Sequence, residues 1–138
     1  MEAGRTIDQN SPEAQAAFAK MRESREFFGS AASRFFAAWK QGVTLARPHY
    51  FGDGTKEGLA AATDKNDLQP NLKRISQALG VLSHGEAVFL VAMYSFYNDQ
   101  DAAKLWRKAG VKTIGDLSVL DLERRQIIAD LMVNYVGW

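Results

Sequence analysis

A chain of 138 residues with a net charge of +1 and no cysteine excludes several kinds of protein at once. It is long enough for one domain that buries a core without a metal or disulfide staple. It is too evenly charged to carry the electrostatic footprint of a nucleic-acid binder over its whole length. Disulfides, thiolate nucleophiles, cysteine-bound zinc and iron–sulfur clusters are closed to it.

The stretch 1–10 is polar and is expected to be frayed, without the apolar core of a secretion signal. One helical domain is expected over 11–138. Ser11-Pro12-Glu13 opens its first helix with an N-cap, a first-turn proline and a first-turn acid. Ala14, Phe18, Met21, Phe28, Ala32, Phe35 and Trp39 then recur at helical spacing as an inward stripe, interrupted by Arg25. The helix is expected to reach Gly42, with a kink or a split at Gly29-Ser30.

The stretch 46–58 reads as a loop, broken by Arg47-Pro48 and Gly52-Asp53-Gly54. A short helix is expected over Lys56 to Thr63. A helix from Pro70 should turn Leu72, Ile75, Leu79 and Leu82 inward. Ser83 and Glu86 have the spacing of a capping box. The helix behind it, Glu86 to Tyr97, is apolar on nearly all sides and should lie at the centre of a bundle.

Asn98-Asp99 caps a helix that runs to Ala109, with Gly110 as its stop. Thr113/Asp116 and Ser118/Asp121 spell two further capping boxes. A last helix from Val119 to Tyr135 should turn Leu120, Ile127, Ile128, Leu131 and Tyr135 inward. No stretch alternates as a strand would. The expected fold is therefore all-α, a single-domain bundle of five to seven helices around the segment 86–97. Its most apolar run, Ala87 to Phe96, is about half of what a membrane crossing needs, so a cytoplasmic protein without membrane contact is expected.

Candidate chemistry is sparse. His49 and His84 are the only histidines, and neither has metal-ligand spacing. No metal, cofactor or catalytic set is called for. His84 with Glu86 reads as an acid–base pair or as an ordinary helix start. Asp64-Lys65-Asn66-Asp67 opens like a calcium loop but lacks its central Gly and its twelfth-position Glu. His49, Tyr50 and Phe51 on a loop between breakers read either as a recognition surface or as residues that tuck back into the core. Phe36 lies about 80° to one side of Phe28 and Phe27 about 100° to the other, an arc wider than one neighbouring helix covers.

Lys104, Arg107 and Lys108 share a helix face, and Lys112 follows in the turn. The segment from Leu105 to Leu117 resembles one hairpin of the helix-hairpin-helix group, which implies backbone N–H groups offered to phosphate. Gly110-Val111 matches the Gly-hydrophobic-Gly turn of that group, and Lys112 stands where its second Gly would be.

The leading expectation is a non-enzymatic protein–protein interaction module, a homodimer being the simplest case, with Phe27, Phe36, His49, Tyr50 and Phe51 as partner-binding residues. Nucleic-acid binding over 104–125 through Lys104, Arg107, Lys108 and Lys112 is the alternative. A small-ligand binder or enzyme using His84 and Glu86 is the third reading.

Overall fold

In the computed structural model, which describes residues 8–138, the helix opened by Ser83 organises the rest. The Ser83 hydroxyl accepts from the Glu86 amide and the Glu86 carboxylate accepts from the Ser83 amide, both at 3.2 Å. Two orphan donors of the first turn are satisfied in this way. The helix spans His84–Tyr97, and Ala87 to Tyr94 and Phe96 are buried. With no polar face to turn to water, it has to be enclosed.

Among the described residues the fold is all-α. Seven α-helices follow one another: α1 (Pro12–Gly29), α2 (Ala31–Ala46), α3 (Lys56–Ala61), α4 (Leu72–Ala78), α5 (His84–Tyr97), α6 (Asp99–Ala109) and α7 (Leu122–Asn134). Three 3-10 turns lie between them, at Pro48–Tyr50, Lys65–Leu68 and Ile114–Val119. Residues 1–7 of the expected frayed start lie outside the described residues. Residues 8–10 form a turn in which the Asp8 carboxylate accepts from the Asn10 amide at 3.0 Å.

α2, α4, α6, α7 and the Ile114–Val119 turn all contact α5. α2 crosses it at Gly42, where a Cβ would stand 2.6 Å from Met93 Cε. A side chain there would displace the end of the Met93 side chain, which packs directly on the glycine. α2 and α7 form the other large contact and run antiparallel, with Arg34 near the start of α2 bonded to Asn134 at the end of α7.

The first long helix is split where a kink or a split was expected: Ser30 closes α1 by donating its amide to the Phe27 carbonyl, and α2 begins at Ala31. Three expectations need correction. Pro70 does not start a helix. It makes an isolated antiparallel bridge with Phe51, and α4 begins at Leu72 under an Asn71 cap that accepts from the Arg74 amide at 3.0 Å. Ile75 and Leu79 are buried as expected, whereas Leu72 is exposed. The Ser118 box does not form, because Ser118 lies inside the last 3-10 turn. Asp121 instead caps α7 by accepting from the Arg124 amide at 2.9 Å.

The segment after α7 folds back over the core. Trp138 meets the rings of Trp39 at 4.9 Å and Tyr97 at 5.1 Å, both edge-on. Its Nε1 donates to Asn66 Oδ1 at 2.9 Å, and Lys65 Nζ donates to the Gly137 carbonyl at 2.8 Å. Tyr135 touches Phe35 and Phe96 with one side and leaves the other to solvent. Trp39, fully buried, donates from its own Nε1 to the Leu68 carbonyl at 2.9 Å.

Candidate interaction surface

α1 is well specified as a helix by its own sequence. Ser11 Oγ accepts from the Ala14 amide at 3.1 Å, Pro12 occupies the first turn, and Glu13 complements the helix dipole. Neither glycine nor a β-branched residue interrupts it before Gly29. Eighteen residues give a rod about 27 Å long. Yet none of its residues is buried. Phe18, Met21 and Phe28, expected to face inward, are 46%, 56% and 50% exposed. Single exposed apolar residues need no explanation, but a row of them along one helix does.

The base of α1 is fixed by Arg34. Its guanidinium lies 4.0 Å from the centre of the Phe27 ring and donates to the Phe27 carbonyl. It also donates to Ser30 Oγ at 2.5 Å and to Asn134 Oδ1 at 2.8 Å. Phe27 is thus held by the protein's own α2, although part of its ring still meets solvent. Phe36 is half-buried on the flank of α2, with Lys40 Nζ 5.5 Å from its ring centre. The two rings are not joined into one patch by any ring contact.

The loop after α2 resolves in favour of the core. Tyr50 and Phe51 are buried, which corrects their expected role in a partner surface. The cause is backbone pairing. Gly52 donates to the Gln69 carbonyl at 2.9 Å and Asn71 to the Tyr50 carbonyl at 2.8 Å, which pins the loop against the segment before α4. The Phe51 ring then meets Trp39 edge-on at 5.7 Å. Of the three loop residues only His49 is exposed.

The basic segment is occupied by internal bonds. Lys108 Nζ donates to the carbonyl and hydroxyl of Ser76, at 2.8 and 3.2 Å. Gly110 takes the left-handed conformation at φ 78°, as a helix stop should. The hairpin amides do not point at open solvent: those of Lys112 and Thr113 donate to one oxygen of Asp116, at 2.7 and 3.0 Å. These bonds hold the Asp116 carboxyl below its ordinary pKa. A carboxylate of the chain itself thus sits where the helix-hairpin-helix resemblance requires phosphate. Lys104 and Arg107 are exposed but have no such geometry to back them.

Glu86 is engaged by Ser83, whose hydrogen bonds hold its carboxyl below the usual range. His84 is exposed two residues before Glu86, on a different side of the helix. Among the described residues no group of three His, Asp or Glu side chains could hold a metal, and no helix is long and apolar enough to cross a membrane.

Two grooves lie elsewhere on the surface of the described residues. One, of about 600 Å³, lies open between α2 and α7 and carries Glu123 and Asp130 beside Gln41 and Thr44. The other, of about 320 Å³, is apolar and lies between Trp106, Val111, Ile114 and Leu117. In the first, the Thr44 hydroxyl donates to the Lys40 carbonyl at 2.8 Å, within its own helix. No protein-family model, curated protein or solved structure matches the chain.

Proposed function

We propose that this protein is a non-enzymatic protein–protein interaction module that engages its partner through the apolar stripe of α1. One observation carries the reading: α1 buries none of its residues while Phe18, Met21 and Phe28 lie along it, each about half exposed. Most helical stability in proteins comes from packing an apolar face rather than from propensity. A partner supplies what the chain's own core does not. Against nucleic-acid binding stands Asp116, which occupies the hairpin amides. Against an enzyme stands Glu86, which is committed to its cap.

A benzophenone amino acid placed at Met21 of the full chain tests this in living cells. Ultraviolet light should give a covalent adduct to a protein, with none from the same group placed at Lys104. No adduct at Met21 above that control would remove the reading.

A further inference from the structure

The geometry points to a second copy of this chain as the occupant of the α1 stripe, with the two α1 helices antiparallel about a twofold axis. This rests on the reading of α1 as a partner surface and names the partner. Ala14, Phe18, Met21, Arg25 and Phe28 follow one another at four, three, four and three residues. That is the average spacing of 3.5 at which one helix packs along another of the same spacing.

Charge narrows the choice of partner. α1 carries Lys20, Arg22 and Arg25 against Glu13, Glu23 and Glu26, so the helix as a whole is neutral. Nucleic acid or an anionic bilayer would gain no net attraction from it, and a second copy would suffer no net repulsion.

Arg25 decides the orientation. It sits within the seam and is exposed. Two parallel copies in register would set Arg25 against Arg25. The antiparallel register that sets Phe18 against Phe28 of the other copy sets Met21 against Arg25 instead. The arginine stem then covers the thioether while the guanidinium reaches water. On one flank of the seam, Arg22 of each copy comes within a turn of Glu26 of the other. Twofold symmetry makes every one of these contacts twice.

The lack of cysteine makes the arrangement directly readable, because a single introduced thiol has no competitor. Ser24 lies beside the axis in this register, so Ser24→Cys in the full chain should be joined to its copy by a short bis-maleimide. Ala17→Cys should not, its two copies being about 18 Å apart along the helices. Light scattering over micromolar to millimolar concentrations should show a monomer–dimer equilibrium. Phe18→Asp or Phe28→Asp should weaken it by on the order of 100-fold or more, since each would set an unpaired carboxylate against a phenylalanine ring of the other copy, with the unfolding transition of the core unchanged. A dimer untouched by these variants, or cross-linking at both thiol positions, would overturn the antiparallel pair. So would a monomer at every concentration. If that monomer still gives adducts to another protein from Met21, the partner surface survives without the second copy. If it gives none, both readings fall together.

Discussion

The indole of Trp138 stands edge-on to that of Trp39, ring centroids 4.9 Å apart, and the two are joined through the Lys65–Leu68 turn. Trp39 donates to the Leu68 carbonyl and Trp138 to the Asn66 side chain, so one short turn holds both rings. The segment 135–138 is therefore a closing element of the core.

Removing that ring should have a large effect for a half-buried residue. Trp138→Ala is expected to cost about 2–3 kcal/mol, below the range for a fully enclosed aromatic because part of the ring already meets water. Urea denaturation measures it. A loss under half a kilocalorie would mean that the segment does not stay docked in solution.

The contrast between two phenylalanines separates the core from the interaction surface. Phe89, 1% exposed in α5, should lose on the order of 3–5 kcal/mol when cut to Ala. Phe18→Ala should change monomer stability by no more than about 0.5 kcal/mol, the ordinary result for a surface site. Thermal unfolding of dilute protein gives both numbers, and equal losses would place Phe18 in the core.

Helix caps can be told apart in the same way. Ser83→Ala and Asp121→Ala should each destabilise by about 1 kcal/mol, because each side chain accepts from a first-turn amide. Ser118→Ala should be close to neutral, its hydroxyl having no such role. A loss at Ser118 as large as at Asp121 would restore the helix start at Val119.

Acid should loosen the capped turns. Hydrogen bonds from the Ser83 hydroxyl and amide lower the pKa of Glu86, those from the Lys112 and Thr113 amides lower Asp116, and the Arg124 amide lowers Asp121. A carboxylate held below its unfolded value stabilises the fold fully above that value and loses the effect as pH falls through the folded one. The contribution should therefore be constant from neutrality down to about pH 5 and decline below about pH 4. Denaturation midpoints at several pH values test this, and Asp116→Asn should flatten the acid limb. An acid limb equally steep in that variant would assign the loss to other groups.

Local chemistry was legible in the sequence where it stayed local. The Ser83–Glu86 box, the Gly110 stop and the unbroken apolar run of α5 each depend on residues within a turn or two of one another. What periodicity could not say was what covers an apolar face. Phe18 and Met21 share a spacing with Phe35 and Trp39, but the split at Ser30 leaves the first pair outside and puts the second in the core. Tyr50 and Phe51 turn inward through a bridge to Pro70, and Trp138 docks on a helix at the other end of the chain. Such pairings leave no periodic trace. The choice of Asp121 over Ser118 as a cap was open to composition, since both are good N-cap residues, and the intervening 3-10 turn decided it.

The docking of Tyr135 and Trp138 over Phe35 and Trp39 has a temporal side. A ribosome builds α2 long before it reaches residue 138. At about 5–20 residues per second, the delay is roughly 5–20 s. For that interval the faces of Phe35 and Trp39 that the late segment covers have no covering of their own. The nascent chain therefore offers an aromatic surface to whatever meets it near the tunnel exit. Faster elongation over the last helices would shorten that exposure without altering a single native contact.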